Sequence, residues 1–178
     1  MSADLHVPEP DLSPLPGWEA PPSGDGRPSR SFVSGDPNGS RIRVRYYRGP
    51  DGQRVGKVWF GADAEGPPGH AHGGAIAAVL DEAMGTNAWL VGHRVLAGTL
   101  QIVYRRPLPL GLVARLRTDI AEVSGRKVVA RGWLEDDDGR AYAEGTGTFV
   151  IMRPELQAML DEEASRTGRA TPDAYGAG

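Results

Sequence analysis

The amino-acid sequence predicts an α+β fold in which an antiparallel sheet of about five to six strands wraps one long central helix. Three features carry that expectation. Residues 41–46 alternate, with Ile42, Val44 and Tyr46 on one side and Arg41, Arg43 and Arg45 on the other, the signature of a half-buried strand. Residues 75–91 are rich in Ala, Leu and Met and contain no proline, the one long helix candidate ahead of the C-terminal segment. After Gly92 the chain reads as four strand-like runs with short links, which predicts a meander.

Taken in order, residues 1–35 read as a mobile Pro/Gly-rich arm, since eight of the 15 prolines fall before Ser40 among Gly, Ser and Asp. Leu12, Leu15 and Trp18 either pin this arm to the domain or are a linker's scattered hydrophobes. The domain proper is expected over 36–153. Gly49-Pro50-Asp51-Gly52 makes a turn between the strand at 41–46 and a returning strand at 55–60, an opening hairpin. Gly66-Pro67-Pro68-Gly69 then breaks regular structure ahead of the helix. Strands are expected at 95–104, 113–123, 127–134 and 142–152, separated by Pro-Leu-Pro-Leu-Gly, Ser-Gly-Arg and Asp-Asp-Asp-Gly. Residues 154–178 close the chain as a short helix and a disordered tail.

Composition narrows the function. The 178 residues fit one domain that buries its own core without disulfides or metal. With 20 Lys+Arg against 23 Asp+Glu, and no long run of like charge, neither nucleic acid nor an anionic membrane is an expected partner. The absence of cysteine excludes disulfides, thiolate zinc sites and a cysteine nucleophile. No stretch approaches the roughly 18 apolar residues of a membrane span, and the N-terminus lacks a basic segment followed by an apolar one, so a cytoplasmic location is expected.

Chemistry concentrates on the helix. Wound at 3.6 residues per turn, Gly74, Ala78, Asp81, Gly85 and Ala88 form one stripe in which every member except Asp81 is Gly or Ala. Ile76, Leu80, Ala83 and Met84 turn toward the sheet. Asp81 is then either a solvated residue on an outer face or a carboxylate held against another body, and its small neighbours favour contact. Partial burial would raise its pKa toward the range of a general base. Glu82 falls on a different line, through Val79, Thr86 and Trp89, and is expected at the rim.

Ahead of the helix stands His70-Ala71-His72-Gly73-Gly74. A glycine-rich helix start presents unpaired N–H groups at the positive end of the helix dipole, a place for a developing oxyanion. The two histidines lack a third ligand at supportive spacing, so no metal is expected and His72 reads equally as a structural hydrogen bonder. Gly73 and Asp81 are eight residues apart, about 12 Å along the axis at ~1.5 Å per residue. One chain therefore cannot present both to one carbonyl, whereas two chains with antiparallel helices side by side can, giving two composite sites per dimer.

The run Glu65-Gly66-Pro67-Pro68-Gly69-His70-Ala71-His72-Gly73-Gly74-Ala75-Ile76, followed by Asp81 and Gly85, resembles the acyl-CoA thioesterases of the hotdog superfamily, specifically the phenylacetate-pathway-like and thioesterase superfamily member 4-like branch. The likeness continues through Tyr104-Arg105-Arg106-Pro107-Leu108-Pro109 and Glu122-Val123-Ser124-Gly125-Arg126-Lys127, and covers roughly residues 36–152. It implies the hotdog fold, a homodimer or a dimer of dimers, an acyl-CoA or acyl-pantetheine substrate, and no cofactor. It implies that Asp81 is nucleophile or general base, that Gly73 supplies an oxyanion N–H with His72 and Gly74 beside it, and that the turn of Ser124, Gly125, Arg126 and Lys127 borders the coenzyme A channel. Arg126 and Lys127, together with Arg105, are expected to meet the phosphates. The sequence departs at one place. Several relatives carry Ser or Thr early in the strand after the helix, holding the attacking water, and Ala97 stands there instead; Thr99, two residues on and on the same face of a regular strand, is the expected substitute. Hydrolysis of an acyl thioester is the expected activity. The alternatives are a pathway-specific hydrolase or lyase acting on a carrier-bound acyl group, and a non-catalytic acyl-thioester-binding module.

Overall fold

A computed structural model describes residues 7–20 and 31–168. The arm's residues 1–6 and 21–30 and the expected tail at 169–178 lie outside them. Eight main elements follow in order: β1 (Ile42–Arg48), β2 (Arg54–Phe60), α1 (Gly73–Leu90), β3 (Val95–Tyr104), β4 (Val113–Ser124), β5 (Lys127–Glu135), β6 (Ala141–Ile151) and α2 (Pro154–Arg166). The six strands form one sheet in the order β1-β2-β4-β5-β6-β3, antiparallel at every pairing. The sheet curves round α1, which packs against β2 through β6. No helix among the described residues is long and apolar enough to cross a membrane.

The meander expected after the helix holds only for β4, β5 and β6; β3 pairs with β6 instead of β4. The link of residues 105–112 explains the difference. It carries two prolines, which cannot donate to a ladder, and Leu108 is buried at 1% exposure. Leu108 O accepts from Ala71 N at 2.9 Å, so the link is tied to the loop ahead of α1 rather than folding back as a hairpin. β4 is thereby delivered to the far side of the sheet, beside β2.

Seven residues of α1 are buried: Ile76, Val79, Leu80, Ala83, Met84, Asn87 and Ala88. Ala88, expected in the small-residue stripe, belongs to the core. The helix sits close to the sheet because Gly132 and Gly145 face it. A Cβ at Gly132 would lie 3.2 Å from Leu80 Cδ2 and Met84 Cγ, and one at Gly145 would lie 3.2 Å from Met84 Cε. Arg94 holds α2 through a bidentate pair with Asp161 at 2.6 and 2.8 Å.

The two sheet edges differ. Along β1, Leu12, Leu15 and Trp18 of the arm are half-buried, Trp18 stacks near Tyr47 at 5.7 Å between ring centroids, and Tyr47 Oη donates to Leu12 O at 2.6 Å. Glu19 and Arg48 exchange backbone hydrogen bonds of 2.9 Å, so the described part of the arm is pinned over that edge. β3 is the other edge, and Leu96, Leu100, Val103 and Tyr104 on it are exposed. An exposed apolar edge strand is a template for pairing with another chain.

Leu80 is fully buried at the centre of this core. Leu80→Ala is expected to lower unfolding stability by about 2–5 kcal/mol, the cost of lost burial plus a residual cavity. Urea denaturation of the two proteins checks this.

Candidate functional site

The start of α1 is built by the loop before it. Gly66 N donates to His70 O at 2.9 Å, His70 N to Pro67 O at 2.9 Å, and Gly69 N to Glu65 Oε1 at 2.7 Å. Gly66 has no room for a side chain, since a Cβ there would lie 2.7 Å from His72 Cα. His72, its own N held by Ala64 O at 2.8 Å, is the helix N-cap, and its Nδ1 accepts from Gly74 N at 2.9 Å. This occupies the Gly74 N–H. His70 Nδ1 meets Pro68 O at 2.8 Å, so the two histidines serve local backbone geometry, and no metal-holding group appears among the described residues.

Gly73 is therefore the open position. Its carbonyl accepts from Tyr104 Oη at 2.8 Å, while its N–H finds no acceptor among the described residues. It borders a cleft of ≈ 330 Å³ together with Ile76, Tyr104, Arg105 and Leu108. Arg105 is half-exposed there and paired with Glu144 at 3.0 Å.

Asp81 borders a separate cleft of ≈ 280 Å³, shared with Tyr46, Glu82, Trp89, Leu96, Ala97 and Phe149. Its side chain is half-buried, and Oδ1 is fully buried with no hydrogen-bond partner among the described residues. Burial, and then the neighbouring charge of Glu82, push the Asp81 carboxyl above the ordinary aspartate range. A carboxylate left under-solvated in an apolar cleft is both costly and basic. Gly73 and Asp81 thus open onto different clefts of one chain, in keeping with their ~12 Å separation along the helix.

The expected role of Thr99 needs correction. A bulge at Gly98 shifts the β3–β6 register, so Ala97 pairs with Phe149 but Thr99 pairs with Thr148. Phe149 faces the helix and lines the Asp81 cleft, as Ala97 does, whereas Thr99 takes the outer face of the sheet. The extra residue breaks the rule that positions two apart share a face.

The β4–β5 turn is a two-residue hairpin with Ser124 opposite Lys127 and Gly125 at φ 56°, the left-handed geometry that glycine supplies. Arg126 is tied to the end of β6: its Nε and Nη2 donate to Ile151 O at 3.0 and 2.9 Å, and its carbonyl accepts from Ile151 N at 2.7 Å. Lys127 pairs with Val150, which pairs with Leu96, so two strand spacings, about 10 Å, separate this turn from the Asp81 cleft. Ser124, Arg126 and Lys127 stand at the Asp81 end of the sheet and Arg105 at the Gly73 end.

Glu82 is expected at the rim from its helical line. In the structure it lines the cleft beside Asp81 and accepts from Tyr46 Oη at 2.9 Å and from Ser31 Oγ. The signal was its own helical line, since Val79 is core and Trp89 lines the cleft.

Comparison with known proteins bears on this arrangement. The family model described as Thioesterase superfamily matches residues 68–143, from the loop before α1 into β6. Over those residues the chain is similar to the thioesterase superfamily. The chain is similar to acyl-coenzyme A thioesterase THEM4 of Xenopus laevis, 34% identical over 91 residues that make up 51% of this chain and 41% of that one. It thus spans less than half the length of that relative. Among solved structures, a thioesterase superfamily protein is 32% identical with a TM-score of 0.58, over 61% of this chain and 53% of the other. A Bacillus halodurans protein crystallised with CoA is 28% identical with a TM-score of 0.53, over 61% of this chain and 74% of that one. The α+β hotdog architecture of this domain is common to these neighbours.

The raised Asp81 pKa makes a prediction about stability. A carboxyl whose folded pKa lies above its unfolded value favours the folded state in its protonated form; that contribution is complete below the unfolded value and is lost as pH rises through the folded one. Asp81→Asn removes the charge, so the variant is expected to be more stable than wild type at pH 7.5. The difference should vanish as pH falls below the ordinary aspartate value of 3.8. Thermal melts of both proteins across this range measure it.

Proposed function

We propose that this thioesterase-superfamily protein hydrolyses an acyl-CoA, or another pantetheine thioester, to the free acid and thiol. The observation that carries the reading is the Asp81 carboxylate, half-buried in an apolar cleft with one oxygen lacking any partner among the described residues. A carboxylate in that state is a better proton acceptor and nucleophile than one in water. The Gly73 N–H, at the positive end of an 18-residue helix, meets the oxygen on which negative charge develops.

As general base, Asp81 takes a proton from water while the hydroxide adds to the thioester carbonyl. The tetrahedral oxyanion is held by Gly73 N–H, the C–S bond breaks, and the proton passes to the departing thiolate. As nucleophile, Asp81 itself adds to the carbonyl and expels the thiolate, and water then cleaves the mixed anhydride. Both routes use the same two groups and need no cofactor.

Because the groups open onto different clefts, the working unit of this proposal is a homodimer in which Asp81 of one protomer faces Gly73 of its partner across antiparallel helices. The exposed apolar edge of β3 supports such pairing. In that arrangement Arg105 of one protomer and the Arg126–Lys127 turn of the other border the same site from opposite ends, where they suit the phosphates of a nucleotide-bearing thiol. The Bacillus halodurans neighbour's bound CoA accords with this.

One observation favours a second reading. With Ala97 facing the cleft and Thr99 turned outward, the strand after the helix brings no hydroxyl to a water beside Asp81. A module that binds acyl thioesters without cleaving them shares every other feature. Thiol release from a panel of acyl-CoAs and acyl-pantetheines, with a carrier-protein thioester alongside, separates the readings. Wild type is expected to release thiol, and Asp81→Asn to lose at least about 10²-fold in kcat, the scale of a positioned base. Near wild-type turnover by that variant would contradict the mechanism.

A further inference from the structure

The feature left over from this mechanism is the second carboxylate. Glu82 borders the same cleft as Asp81, and its two oxygens are engaged separately: Oε1 accepts from Tyr46 Oη at 2.9 Å, and Oε2 meets Ser31 Oγ. Tyr46 comes from β1, Glu82 from α1, and Ser31 from the segment ahead of β1, so three parts of the chain converge on one carboxylate. Ser31 is itself fixed, its Oγ lying 3.2 Å from both Val33 N and Ser34 N. The buried Arg54 guanidinium stands over the Tyr46 ring at 5.3 Å but does not line the cleft. A carboxylate so anchored does not swing out into water when a ligand enters.

The rest of the cleft is uncharged and mainly apolar, with Trp89, Leu96 and Phe149 in its wall beside the hydroxyls of Ser34 and Thr86, and among the described residues Asp81 and Glu82 are the only charged groups that line it. With Asp81 at the reacting carbonyl, the mainly apolar wall of this cleft suits the acyl chain of the thioester rather than its polar pantetheine arm. We propose that Glu82 is a specificity-determining residue: held beside Asp81 by Tyr46 and Ser31, it admits uncharged acyl groups and turns away acyl groups that end in a carboxylate. The inference rests on the thioesterase reading of the Asp81 cleft. An acyl carboxylate entering here loses hydration and meets a fixed like charge, an arrangement that discriminates by repulsion rather than by added attraction.

The test compares hexanoyl-CoA with adipyl-CoA, equal in carbon count and differing in the terminal carboxylate, by kcat/KM in thiol release. Wild type is expected to favour hexanoyl-CoA by at least about 100-fold, and Glu82→Gln, which keeps an acceptor for Tyr46, to narrow that ratio at least about tenfold, chiefly through KM for adipyl-CoA. Glu82→Met serves as a second variant with the charge removed and should narrow the ratio too. Glu163→Gln, on the exposed face of α2, changes net charge equally and should leave the ratio alone. Thioether analogues carrying hexyl and 5-carboxypentyl groups, titrated into Asp81→Asn protein, repeat the comparison without turnover. Equal use of both substrates by wild type would overturn the proposal, and so would an unchanged ratio in folded Glu82 variants, which would assign the rejection to desolvation alone. Failure to cleave either substrate or bind either analogue would overturn the thioesterase reading itself, and this inference with it.

Discussion

The rest of this structure depends on holding the Asp81 carboxylate half out of water, with one oxygen unpartnered among the described residues, on a helix whose other side is locked in the core. Such a group destabilises the fold that carries it, and the fold offsets the cost elsewhere. Glycines at 132 and 145 let β5 and β6 approach Leu80 and Met84 closely, so the helix cannot rotate to hydrate the acid. Trp89 and Phe149 supply the apolar wall, and the fixed Glu82 adds a second negative charge that favours the protonated form of its neighbour.

The helix also sets a distance. Its N-terminus is fixed by the His72 cap, by Ala64, and by a loop tied to the β3–β4 link at Leu108. That leaves the Gly73 N–H displaced from Asp81 by ~12 Å along the axis. Neither end can move toward the other without unwinding α1. The two edges of the sheet follow the same logic, the β1 edge being covered by the chain's own arm and the β3 edge lying exposed with apolar side chains.

Much of this was legible in the sequence, and the failures have physical causes. Periodicity located the strands because half-buried strands alternate, and it located α1 because nothing else before the C-terminal segment combines Ala, Leu and Met without proline. The Asp81 stripe was legible from spacing alone, although Ala88 proved to be core. Pairing was harder: a link of residues 105–112 reads as a hairpin connection until Leu108 is known to be anchored under the helix start. Thr99 was misplaced because one glycine bulge inverts every later face of β3, and bulges have no reliable local signature. Glu82 was set at the rim because its anchors, Tyr46 and Ser31, lie 36 and 51 residues away in sequence. Long-range partners of a polar residue are what composition and period do not encode.

The joint action of Asp81 and Gly73 across two chains, as proposed, is open to complementation between protomers. Asp81→Asn and Gly73→Pro each disable one of the two groups, the second by deleting an N–H at the first helical position, where proline is otherwise tolerated. Gly73→Ala keeps the N–H and controls for the added side chain near Tyr104. Each homodimer of the disabled variants should be inactive. A co-expressed, purified heterodimer should contain one site with both lesions and one with neither, and so recover about half of wild-type activity per dimer. Folded heterodimers that remain inactive would contradict the claim.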